Sequence, residues 1–169
     1  MKLLKAISHK RQAKEGYTLL LAVLLSSILL TVALGLLSII EKGITLSSAG
    51  RDSQFAFYAA DGGGECALLW DIRYPGFGES VFATSTLSSP PSSGVLCNGQ
   101  DIASSWTIYD ETANSAKTRF NLTLTNDACA IVLVEKEAEG AVTQITTSGF
   151  NTCDENYPRR VERTIRITY

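Results

Sequence analysis

GYTLLLAVLLSSILLTVALGLLSII, the stretch Gly16–Ile40, decides how the rest of the chain is read. From Tyr17 to Ile40 it runs 24 residues without a charge. At about 1.5 Å per residue such a helix is roughly 36 Å long, enough to cross a hydrocarbon core of about 30 Å. Its Ser and Thr hydroxyls are expected to bond back to helical carbonyls, so they do not oppose a span.

Charge is distributed unevenly about this stretch. Residues 1–16 hold Lys2, Lys5, Lys10, Arg11 and Lys14 against Glu15, a net +4. The remainder holds ten basic and sixteen acidic residues, a net −6. Positive charge beside an apolar span stays cytoplasmic, which predicts an N-terminus inside and an acidic domain outside. Such a domain is a poor partner for nucleic acid.

Four cysteines, Cys66, Cys97, Cys129 and Cys153, all follow the span. In an exported domain they read as two disulfides, with three pairings open. They are separated by 30, 31 and 23 residues, with no CxxC, which argues against a zinc site. The only histidine, His9, lies in the leader. That excludes Ser-His-Asp and Cys-His chemistry from the exported part, and no S-x-x-K occurs. Asp110-Glu111 and Asp154-Glu155 read as solvated turns. Asn151, Asp154, Glu155 and Asn156 match a calcium loop only loosely. Nothing calls for a metal or a cofactor, and no enzymatic activity is expected.

Three readings of residues 1–40 compete. A cleaved secretory signal has an apolar core of about 7–15 residues, shorter than this one. A permanent signal anchor, carrying an exported binding or sensing domain, fits the length. The third reading rests on Lys14-Glu15-Gly16-Tyr17-Thr18-Leu19-Leu20. This segment resembles the class III signal of type IV pilins and type II secretion pseudopilins. The resemblance implies that a prepilin peptidase cuts after Gly16 and that Tyr17 becomes the N-methylated first residue. It also implies that other pilin subunits replace lipid as partners of the apolar helix.

Two further positions refine the resemblance. Major pilins usually carry glutamate at the fifth residue after the cut, where this chain has Leu21. PilX-type minor pilins and the tip pseudopilin are similar in lacking it, which favours a minor subunit. Phe55-Ala56-Phe57-Tyr58-Ala59-Ala60-Asp61 resembles the AFxAAE stretch that follows the apolar helix in PilX-type proteins. The host implied is bacterial, with the subunit in the cytoplasmic membrane and then in a surface filament.

The chain is thus divided into a leader at 1–16, an assembly helix at 17–40, an exported helix half at 41–70 and a β-rich domain at 71–169. Gly62-Gly63-Gly64 predicts a break or kink in the helix, because each glycine costs about 1 kcal/mol relative to Ala, the alternative being a continuous helix that uses the glycines for close packing against the sheet. Pro75, Gly76 and Gly78 take the chain out of the helix over 71–78. Residues 79–86 are expected as a short strand and 87–94 (LSSPPSSG) as a loop.

Beyond the loop, alternation of apolar and polar residues predicts strands around Trp106–Tyr109 and over 119–125. Cys129–Glu135 is a continuous apolar run, expected as a central strand covered on both faces. Lys136–Gly140 reads as the turn of a hairpin that returns over 141–147. Arg160–Tyr169 is the last strand, with Arg163 interrupting its apolar side.

The fold class is therefore α+β: a long helix, membrane-spanning in its first half, against an antiparallel sheet of four or five strands. The pilin resemblance implies the same arrangement and, by analogy, a Cys129–Cys153 disulfide around the hairpin. Cys66–Cys97 then ties the helix to the loop region. Arg159, Arg160, Arg163 and Arg166 form the one basic cluster, read as a salt-bridged face or a contact for a subunit or anionic polymer. Asn121-Leu122-Thr123 matches a glycosylation sequon.

Overall fold

A computed structural model describes residues 2–73 and 80–169, with side chains described at 16–73, 80–138 and 140–169. The chain divides into two compact units, Met1–Ser47 and Ser48–Tyr169. One helix, α1 (Lys2–Ile72), contributes to both and runs without a break. Its Gly16–Ile72 portion is long and apolar enough to cross a membrane.

In the first unit every residue from Gly16 to Ser47 is exposed. An apolar helix with no covered face needs lipid or other helices around it. Ser26, Ser27 and Thr31 donate to the carbonyls of Val23, Leu24 and Ile28 at 2.8–2.9 Å. The hydroxyls are satisfied inside the helix, as an apolar environment demands.

The second unit is an α+β domain. Behind α1 come a two-stranded hairpin, β1 (Leu96–Cys97) and β2 (Gln100–Asp101), and a five-stranded sheet. That sheet contains β3 (Thr107–Tyr109), β4 (Ala116–Thr123), β5 (Cys129–Glu137), β6 (Val142–Phe150) and β7 (Glu162–Thr168). All neighbours are antiparallel, in chain order, so the sheet is a meander with β5 at its centre.

The helix does not break at Gly62-Gly63-Gly64. At Gly63 the helix lies too close against the sheet for a side chain. A Cβ on Gly63 would stand 2.9 Å from Thr147 Cγ2 and 3.0 Å from both Ala130 Cβ and Val132 Cγ2. Tertiary packing therefore overrides the local helix penalty. Ala56, Ala59, Ala60 and Ala67 continue the small, buried face at helical spacing.

From the sheet side, Gly149 of β6 completes the approach. A Cβ there would lie 2.1 Å from the Ala56 carbonyl oxygen and 2.2 Å from the Ala60 nitrogen. Two backbones meet with no side chain between them, which only glycine permits.

Residues 80–86 form no strand. Val81, Phe82 and Ala83 are all about 1% exposed. Among the described residues no strand of either sheet pairs with them, so their consecutive burial is not that of a strand covered on both faces. They plug the core instead: the Phe82 ring stacks on Phe120 at 6.1 Å and meets Trp106 at 5.7 Å. Residue 79 of the expected strand, and Pro75, Gly76 and Gly78, lie outside the described residues.

β5 is central but is not covered equally on both faces. Ala130, Val132, Val134 and Lys136 are buried, whereas Cys129, Ile131, Leu133 and Glu135 are half-buried. The helix covers one face only, and the other is lined by longer polar neighbours. The strand also runs two residues further than expected, through Glu137, and the turn narrows to Ala138–Gly140. The extension moves Lys136 from a turn to the interior.

Candidate functional site

Gly16 and Tyr17 lie within α1, and Tyr17 is 68% exposed. A Cβ at Gly16 would meet nothing within 4 Å. Leu21, where a carboxylate was weighed, is also exposed on the helix. The basic side chains of the leader lie outside the described set. Charge returns after Ile40 at Glu41 and Lys42.

In the second unit the polar chemistry gathers where α1 meets the sheet. Asp71, in the last turn of α1, is the centre of one cluster. Lys136 Nζ lies 2.5 Å from Asp71 Oδ1, and the two side chains are 5% and 3% exposed. Ser80 Oγ donates to Oδ1 and Tyr169 Oη donates to Oδ2, each at 2.5 Å. A carboxylate at a helix C-terminus opposes the helix dipole, so it requires a cation and donors of this kind. The cluster joins the helix end, the loop after it, the central strand and Tyr169 beyond β7.

This cluster was not foreseen from the sequence, yet a signal was present. Extending the period-two burial of Ala130, Val132 and Val134 by one step places Lys136 on the helix-facing side. Asp71 follows Ala60 and Ala67 along the buried helix face. Asn98-Gly99, which turns β1 into β2 with φ of 46° and 75°, was likewise a legible hairpin signal that went unread.

The arginine cluster is largely consumed by the fold. Arg159 Nη2 bonds Asp52 Oδ2 at 2.6 Å, and the hydrogen bond and charge of Asp52 raise the guanidinium pKa further. Arg163 Nε donates to Ser53 Oγ at 2.8 Å, which explains why an arginine sits on the apolar side of β7. Arg160 stacks its guanidinium 3.8 Å over the centre of the Phe150 ring. Two of the four residues pin the sheet to α1, a third packs on the sheet, and only Arg166 is left outward from the cluster.

The acidic pairs serve turns. Asp110 stands 3.4 Å from Lys117, whose amine is also 3.0 Å from Glu135. Glu135 first, by hydrogen bond and charge, and then Asp110 raise the Lys117 pKa. Asp154 accepts from the Asn156 amide, and Asn151 accepts from the Val161 amide and donates to the Arg159 carbonyl. Two residues of the loose calcium pattern, Asn151 and Asp154, thus bond backbone with their side chains. No cluster of three metal-ligating groups occurs among the described residues. Asn121 of the sequon is exposed on β4.

Both disulfides fall within the second unit. Cys66 pairs with Cys97 at a Cα separation of 5.9 Å, and Cys129 pairs with Cys153 at 5.4 Å. The first ties α1 to the β1–β2 hairpin, where Trp70 Nε1 also donates to the Leu96 carbonyl at 3.1 Å. The second ties the start of β5 to the loop before β7.

Compared with known proteins, the chain matches no family model, no curated protein and no solved structure.

Proposed function

We propose that the chain is a non-enzymatic minor subunit of a type IV pilus or a related filament. It is held in the bacterial cytoplasmic membrane by Tyr17–Ile40, with its N-terminus inside and residues 41–169 outside. A prepilin peptidase removes residues 1–16, Tyr17 is N-methylated, and the apolar helix then exchanges lipid for the helices of other subunits.

The observation that carries this reading is the uncharged helical stretch Tyr17–Ile40, exposed throughout, which follows directly on a pilin-like processing sequence. A helix apolar on every side is suited to both environments in turn, since neither leaves a polar face unsolvated. The reading is supported further by the α+β unit behind it, whose helix continues α1.

Coexpression with a prepilin peptidase, followed by N-terminal sequencing, tests the proposal. A product starting at Tyr17, lost when Gly16→Trp blocks the cut, is expected. A chain that keeps Met1 identifies a permanent signal anchor with an exported binding or sensing domain.

A further inference from the structure

We propose that Lys136 and Asp71 condense to form an intramolecular amide, a covalent tie between the end of α1 and the central strand. The inference stands on the interior of the second unit and does not depend on whether residues 1–16 are cut.

Proximity is the first argument. The amine nitrogen lies 2.5 Å from a carboxylate oxygen, and both side chains are at least 95% buried. Each is carried by a rigid element, and Lys136 is flanked on the sheet by buried Ala116 and Thr143. Holding two reactants in this way replaces a bimolecular encounter with an intramolecular one, at effective molarities of about 10⁵ M or more in favourable cases.

Desolvation is the second argument. With both side chains out of water, a single proton transfer along the 2.5 Å Nζ···Oδ1 contact gives the amine and carboxylic acid that react. The same burial keeps out the water that would drive hydrolysis of the product.

The donors are the third argument. Tyr169 Oη faces Oδ2 and Ser80 Oγ faces Oδ1, so both oxygens of the reacting carboxyl carry an O–H donor. Donors aimed at oxygens that gain charge lower the barrier for attack at the carbonyl carbon.

The step balances without an added reagent. A proton passes from Nζ to Oδ1, and the freed lone pair attacks Cγ to form the C–N bond. Oδ2 takes up negative charge against Tyr169. A second proton passes from Nζ to Oδ1, the Cγ–Oδ1 bond breaks, and Oδ1 departs as water beside Ser80. The third Lys136 proton remains as the amide N–H. Nothing is oxidised or reduced.

Peptide mass spectrometry on the full chain, reduced and digested with trypsin, tests the proposal. Trypsin cannot cut after an acylated Lys136. The linked protein therefore gives one branched peptide joining residues 52–73 to residues 120–159, lighter by one water than the two linear peptides together. Lys136→Arg keeps the cation and is expected to give no branched peptide. Asp71→Asn is expected to give a branched peptide of the wild-type mass, because ammonia leaves in place of water. A wild-type digest that is cut after Lys136, with residues 52–73 recovered as a linear peptide, overturns the proposal. That measurement requires no variant to fold.

Discussion

Lys136 of the central strand meets Asp71 of the last helical turn at 2.5 Å, inside the protein and away from water. The pair ties the last turn of α1 to the central strand. Removing one member leaves a buried charge without its partner, which costs about 3–5 kcal/mol. Lys136→Met is therefore expected to lower the unfolding free energy by roughly that amount, read by denaturant titration of the full chain in detergent. Asp71→Asn combined with Lys136→Met is expected to recover the part of the loss that the unpaired charge causes, but not the part that the proposed amide contributes, because neither variant can form it.

Gly149 and Gly62 predict opposite outcomes for the same substitution. Gly149→Ala drives a methyl group into the backbone at Ala56 and Ala60, and the expected loss is about 3 kcal/mol or more. Gly62→Ala meets nothing within 4 Å and is expected to stabilise the helix by about 1 kcal/mol. Thermal unfolding of the two variants beside the wild type decides both.

These glycines also mark how far the sequence could be read. The period-two pattern at Phe120, Leu122 and Leu124 placed β4, and the apolar run after Cys129 placed the central strand, because side-chain alternation records burial directly. Gly62-Gly63-Gly64 left a break and a close-packed continuous helix both open, because local propensity favours the break and only the facing Ala130, Val132 and Thr147 decide for the packed helix. Val81-Phe82-Ala83 misled for a related reason: an apolar triplet does not say whether it pairs or plugs. The Asp71–Lys136 contact joins residues 65 positions apart, and no local pattern encodes that meeting.

Lys117 carries a pH-dependent contribution. Its pKa is raised above the ordinary 10.5, chiefly by the hydrogen bond to Glu135. A raised pKa means that the folded protein holds the proton more tightly than the unfolded chain does. The stabilisation is therefore complete below about 10.5 and is lost as pH rises through the higher folded value. Lys117→Met is expected to narrow the gap in thermal stability to wild type as the pH is raised through that window. A gap that grows with pH contradicts the assignment. Because the amine is at the surface, added salt is expected to shrink the effect.

The Cys66–Cys97 bridge closes a loop across the helix–hairpin contact. Its sequence separation of 31 corresponds to about 3–4 kcal/mol in the chain-entropy account. The Cys66→Ser, Cys97→Ser double variant is expected to unfold correspondingly earlier in denaturant, with Cys129–Cys153 intact by peptide mapping. The same loss from reduction of the wild type in that bridge alone checks that the covalent link, not the serines, is responsible.

The central claim is that the apolar helix is a processed assembly element and not a fixed anchor. N-terminal sequencing of the chain after coexpression with a prepilin peptidase tests it most directly. A mature chain beginning at N-methylated Tyr17 is expected. A chain that still begins at Met1, with the peptidase active on a control prepilin in the same cells, contradicts it.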